Sequence, residues 1–197
     1  MKKIKTNSRG GQGLRRRTFL GVILAFALSM LGTARILGQE AVSEEQLKAA
    51  FLFNFVRYVE WPQNAFSSEN SPIVIGVLSN EEFATRLAAL LKEKKAHNRS
   101  FEVKKLSISS DGSGCHMIFV PLTESKRAGQ VAENTKKQPV LLVGEHEEFL
   151  DSGGIITFVK DKGQLRFDIN PKAAEDRNLV ISSHLLRLAR TKKGGSQ

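Results

Sequence analysis

The chain has 197 residues, 41% of them hydrophobic and 25% charged, with 30 Lys+Arg against 20 Asp+Glu and a formal charge of +10. That composition suits one globular domain and excludes a disordered or membrane-embedded chain. A single cysteine excludes an intramolecular disulfide framework and any cysteine-clustered zinc or iron–sulfur site.

Residues 1–34 hold seven cations (Lys2, Lys3, Lys5, Arg9, Arg15, Arg16 and Arg17) and no anion, so the rest carries 23 against 20. The excess is an N-terminal property, and no nucleic-acid partner is expected. Residues 18–34 form an uncharged apolar run behind that basic stretch, the order of a secretory signal. The sequence predicts a cleaved export signal over residues 1–38, with the cut between 34 and 41, and a periplasmic location. Arg16-Arg17-Thr18-Phe19-Leu20 also resembles the twin-arginine signature, but an ordinary Sec signal is the preferred reading. A domain over residues 39–190 and a disordered tail over 191–197 follow.

Ser43-Glu44-Glu45-Gln46 fits a capping box that opens a helix over residues 44–60, closed by Trp61-Pro62. Residues 73–78 are an apolar, β-branched run without alternation, the pattern of a strand covered on both faces. Ser79 or Asn80 caps the next helix, whose stripe is Phe83, Leu87, Leu90 and Leu91. Strands are predicted over 101–108, 115–120 and 139–144, with a short helix capped by Thr123 and running to 135 before the last of these. Residues 155–160 and 164–170 flank Asp161-Lys162-Gly163 and read as a β-hairpin. Asn170-Pro171 starts one helix, and Ser182 or Ser183 caps a last one through Leu185, Leu186 and Leu188. The expected fold is a single three-layer α/β/α domain, its mostly parallel sheet ending in an antiparallel hairpin at one edge.

Catalytic and metal motifs are missing. His97, His116, His146 and His184 make no metal-ligand spacing, and Glu145 to Glu148 read as a solvated helix start. Neighbours on a strand point to opposite faces, so Cys115 and His116 cannot form a dyad. Cys115 reads as a small buried hydrophobe, with a redox or intermolecular disulfide role as the alternative. No cofactor is expected and a non-enzymatic role is preferred; an undescribed hydrolase is the remote alternative.

The informative stretch is residues 51–61, where eight of eleven positions are apolar or aromatic. A surface helix carries one apolar stripe, whereas this one is apolar nearly all round and must be covered from two sides. Either it is buried between sheet and neighbours, or one face docks on a second subunit or partner protein. The candidate partner-binding residues are Phe51, Asn54, Phe55, Arg57, Tyr58 and Trp61.

Those same residues carry a resemblance. Lys48-Ala49-Ala50-Phe51-Leu52-Phe53-Asn54-Phe55 through Glu60-Trp61-Pro62 is similar to the opening signature of the YfiR-like family. Cys115-His116-Met117-Ile118-Phe119-Val120 resembles its central strand, and Gly153-Gly154, Phe167-Asp168-Ile169-Asn170 and Leu179-Val180-Ile181-Ser182-Ser183 resemble its C-terminal blocks. The resemblance implies a periplasmic α/β protein, often a homodimer, that restrains an inner-membrane diguanylate cyclase by binding its periplasmic region. Members often carry further cysteines; this chain has only Cys115. A small-ligand binder with its site near Ser79, Pro121 and Gly144, where strands end, is the alternative, as is a sensor domain acting on a histidine kinase.

Overall fold

The computed structural model describes residues 43–107 and 109–190; the predicted export signal and tail lie outside them. Helix α1 (Glu44–Tyr58) opens on the predicted capping box: the Ser43 hydroxyl accepts from the Gln46 N–H, and the Gln46 side chain accepts from the Ser43 N–H. It ends two residues earlier than the sequence suggests. Val59 turns to extended backbone and, with Glu60, forms β1 (Val59–Glu60), antiparallel to β8 (Val180–Ile181). A β-branched residue leading into Trp61-Pro62 favours that exit.

The main sheet takes β2 (Ile73–Leu78), β3 (Phe101–Leu106), β4 (Met117–Val120), β5 (Leu141–Gly144), β6 (Ile156–Asp161) and β7 (Gln164–Ile169) in the order β3-β2-β4-β5-β6-β7. Its pairs are parallel as far as β6, and β6–β7 is the antiparallel hairpin. Lys162 and Gly163 both take positive φ (49° and 78°), the two-residue turn whose twist matches the strands it joins. The unbroken apolar runs have the expected cause: every residue of β2, β4 and β5 is buried. The β3 edge instead alternates, with Glu102, Lys104 and Lys105 exposed, charges that discourage edge pairing.

Alternation along the strands feeds two cores. Ile73, Ile75, Met117, Phe119, Leu141, Val143, Phe158 and Phe167 pack with Leu52, Phe55 and Val56 of α1, with Phe83 and Leu87 of α2 (Glu81–Leu91), and with Leu185. Val74, Ile118, Val120 and Leu142 pack on the other face with Ala128 and Ala132 of α3 (Ala128–Thr135). The three layers are therefore present, completed by α4 (Pro171–Glu175) and α5 (Ser183–Leu188), capped by Asn170 and Ser182 respectively. Asn80 caps α2.

Three local expectations are corrected. Thr123 does not cap a helix: Leu122–Arg127 is a tighter 3-10 stretch starting after Pro121 and kinked at Glu124, and α3 begins only at Ala128. The Glu145 to Glu148 segment holds only a 3-10 turn (Glu147–Phe149), with the half-buried His146 ring 5.3 Å from that of Phe149. The central strand begins at Met117, not Cys115, because the Val74 N–H is taken by the His116 ring instead of by a strand carbonyl, so the regular ladder starts at Ile75 and Met117. Cys115 packs with the α3-side core, while the His116 ring stacks on Phe66.

Candidate functional site

Helix α1 is covered from two sides, and its stripe decides which side chains remain available. Ala49, Leu52, Phe55 and Val56 face inward. Phe55 is 0% exposed, its ring 5.0 Å from Phe167 and 5.6 Å from Phe158. It has no surface to offer a partner and belongs to the support behind the face. Phe51, next to it, is half-buried and meets Phe158 and Phe167 edge-on at 5.8 and 5.6 Å, so one side of its ring stays open.

One turn further on, Asn54 and Tyr58 line a cleft of about 150 Å³ with Phe51, Leu185 and Leu188. Neither the Asn54 amide nor the Tyr58 hydroxyl has a hydrogen-bond partner among the described residues. The Tyr58 ring lies 5.0 Å from His184 of α5. Arg57 is exposed, its guanidinium 5.7 Å from the centroids of both Phe53 and Tyr58. The cleft continues past Phe51 and Leu188 into a second of about 310 Å³ beside β7, reaching Leu165 and Arg187. Four of the six predicted residues, Phe51, Asn54, Phe55 and Tyr58, thus line one groove, Phe55 as its fully buried floor, with Arg57 beside it.

Trp61 does not join them. Its indole N–H donates to the His116 carbonyl at 3.1 Å, fixing the entry to β4. His116 in turn is held by both ring nitrogens: Nδ1 accepts from the Val74 N–H at 3.0 Å and Nε2 donates to the Ala65 carbonyl at 3.1 Å. Arg99 lies over the other side of Phe66, 3.8 Å from its centroid, making an Arg99–Phe66–His116 stack that pins the loop after α1. Cys115 is buried, and that burial pushes its thiol above the ordinary value.

The residues missed by the sequence reading are Leu165, Phe167 and above all Leu188, which is 49% exposed. The signal was present in Leu185, Leu186 and Leu188, too many leucines for the single inward position that a six-residue helix offers; only Leu185 is buried.

The strand-end region proposed as a ligand site contains a cleft of about 300 Å³ bounded by Glu44, Lys48, Leu122, Glu145 and Lys160. It lies beside Pro121 and Gly144, and Ser79 is not part of its lining. Lys48 bridges Glu44 and Glu145 at 2.8 Å each, Lys160 meets Glu44 at 2.8 Å, and Glu145 also accepts from the Leu122 N–H. Hydrogen bonds from Lys160 and then Lys48 hold the Glu44 carboxyl down at about 2. These charges satisfy one another and tie the start of α1 to the ends of β5 and β6. Among the described residues no group of three or more His, Cys, Asp or Glu is placed to hold a metal ion, and no helix is long and apolar enough to cross a membrane.

A family model described as YfiR/HmsC-like matches residues 45–190. Among solved structures, the chain is similar to a conserved domain protein from Vibrio cholerae O1 biovar eltor, at 15% identity and a TM-score of 0.50, over 75% of this chain and 59% of that one. The likeness is one of fold, and this chain spans under two thirds of its length. A search of curated proteins found no match.

Proposed function

Because the chain belongs to the YfiR/HmsC-like family, we propose that it is an exported periplasmic regulator that binds an inner-membrane diguanylate cyclase and restrains cyclic di-GMP synthesis. In this reading it is not an enzyme, and it acts by population shift: it holds the cyclase in its inactive state only to the extent that it binds that state more tightly. The carrying observation is the groove in which Phe51, Asn54 and Tyr58 meet Leu188. It combines half-open aromatic anchors with two polar groups that have no partner among the described residues, the composition of a contact surface rather than of a finished core. Arg57 flanks it; Phe55 and Trp61 act from behind, by packing and by fixing the loop.

The test is co-purification of the mature protein with the periplasmic region of a membrane diguanylate cyclase from the same cell, with a sensor histidine kinase as the competing bait. Capture of the cyclase, lost in Tyr58→Ala while thermal melting stays within a few degrees of wild type, supports the reading. Capture of the kinase alone, or of neither, overturns it. A homodimer is part of the same proposal, and sedimentation velocity tests it. The small-ligand alternative is disfavoured by the strand-end cleft, where Glu44, Lys48, Glu145 and Lys160 are paired with one another and only Glu147, exposed at its rim, has no ion pair among the described residues.

A further inference from the structure

The free margin of β7 has its own chemistry. Its hairpin closes on Lys162-Gly163, so Asp161 and Gln164 form a pair that exchanges both backbone bonds, and such pairs recur at every second position. Leu165 and Phe167 fall between them and turn their N–H and C=O groups away from β6. The Phe167 carbonyl accepts from the Arg190 N–H at 2.8 Å. The Leu165 N–H and C=O and the Phe167 N–H have no partner among the described residues.

The 310 Å³ cleft lies along this margin, floored by Phe51, Leu165, Phe167 and Leu188 and edged by Arg166 and Arg187. Both arginines are exposed, and neither is paired with a carboxylate among the described residues. Unpaired backbone groups at strand spacing beside an apolar slot are what an added strand needs: main-chain bonds supply affinity, and alternate side chains find the pocket. Charge selects the occupant. A second copy paired across a two-fold axis would bring Arg166 and Arg187 against their own kind, and the residues following Arg190 include Lys192 and Lys193, of the same sign. We propose that the β7 margin receives an extended acidic segment of the partner protein by strand addition, with one apolar residue of that segment seated between Phe51 and Leu188. That the segment belongs to the partner rests on the function proposed above; the strand site itself does not.

The experiment uses the 15N-labelled mature protein and two synthetic peptides, an alternating Glu/Val heptamer and its Lys/Val counterpart. With the Glu peptide, the Leu165 and Phe167 amides should shift and exchange at least tenfold more slowly. Binding should weaken at least tenfold for the Lys peptide and for the double variant Arg166→Glu/Arg187→Glu. Leu165→Pro should abolish it, because that N–H is unused by the hairpin, whereas Arg166→Pro removes a ladder bond and should unfold β7. No response at β7 up to millimolar peptide, or equal responses to both peptides, overturns the proposal. So does a dimer lost in Leu165→Pro, which makes a second copy the occupant, or faster exchange at Leu165 on truncation after Arg190, which makes it the chain's own tail. If a cyclase is captured through Tyr58 but Leu165→Pro still binds it, strand addition fails and the functional reading survives; peptide binding with no cyclase captured gives the reverse.

Discussion

His116→Phe removes two hydrogen bonds while keeping a flat ring against Phe66. In the wild type the imidazole takes the Val74 N–H, which lies just before the β2–β4 ladder begins at Ile75 and Met117, and it donates to Ala65. The phenyl ring strands a buried N–H, at a cost of about 1–3 kcal/mol, and forfeits a second bond of about 1 kcal/mol; retained stacking offsets part of this. A net loss of about 2–3 kcal/mol corresponds to a fall in Tm of about 5–10 °C for a domain of this size. The loss should also depend on pH. Burial holds the His116 imidazole below its ordinary value of 6.5, against the pull of the Ala65 carbonyl, and Arg99 and Lys104 push it the same way as burial. The unfolded chain therefore binds the proton first, so the stabilisation is fully present above pH 6.5 and is lost as pH falls from there through the folded value. The assay is urea unfolding of both proteins from pH 8 to pH 5. Their difference should shrink below pH 6.5, by no more than about 1.4 kcal/mol per pH unit. Equal stability at pH 8, or a difference that does not change with pH, would refute the reasoning.

Arg177 is buried with no carboxylate partner among the described residues, donating to the carbonyls of Ala132 at 3.1 Å and Ala173 at 3.4 Å. Arg177→Lys loses the fork that reaches both helices and should cost about 1–2 kcal/mol in urea unfolding. Gly144 sits against the Phe149 ring, which a Cβ would meet at 2.5 Å. Gly144→Ala should therefore destabilise by about 1–3 kcal/mol, and Phe149→Leu in the same chain should recover part of that loss. Cys115 should react with Ellman's reagent at pH 8 at least a hundredfold more slowly in the native protein than in 6 M guanidinium, since its thiol is both buried and shifted upward.

The layers were legible because their causes are local. Apolar runs without alternation mark β2, β4 and β5, Lys162-Gly163 marks the hairpin, and Ser43 with Gln46 marks the start of α1. Element ends were less legible where a tertiary partner sets them. Val59 leaves the helix to pair with Ile181, more than a hundred residues away, and no window around Val59 contains that strand. The site was half legible for the same reason. Composition singled out the aromatic helix, but the division between Phe55, sealed behind the surface, and Phe51, half open, is made by Phe158 and Phe167 of the hairpin. Trp61 looked like an anchor and is instead occupied by the His116 carbonyl, a contact that no spacing in the sequence announces.

The proposed regulator must discriminate between two states of its partner, which is a different demand from binding tightly. Shifting an evenly balanced cyclase to 99% inactive requires about a hundredfold preference, or about 2.7 kcal/mol. Apolar contact is non-directional and tolerates small displacements, so Leu188, with about half its side chain left to bury, should contribute about 1 kcal/mol to either state. A polar group left unpaired in one state and paired in the other discriminates far more sharply. Asn54 is such a group, an amide with no hydrogen-bond partner among the described residues, in a largely apolar groove. Leu188→Ala should therefore raise Kd about fivefold while inhibition at saturation stays complete. Asn54→Leu, similar in size, should leave Kd within about threefold but lower the maximal inhibition. Titrating purified cyclase with each variant and following cyclic di-GMP production separates the two effects. If Asn54→Leu only weakens binding, with full inhibition restored at saturation, discrimination resides elsewhere on the face and the role assigned to the amide is wrong.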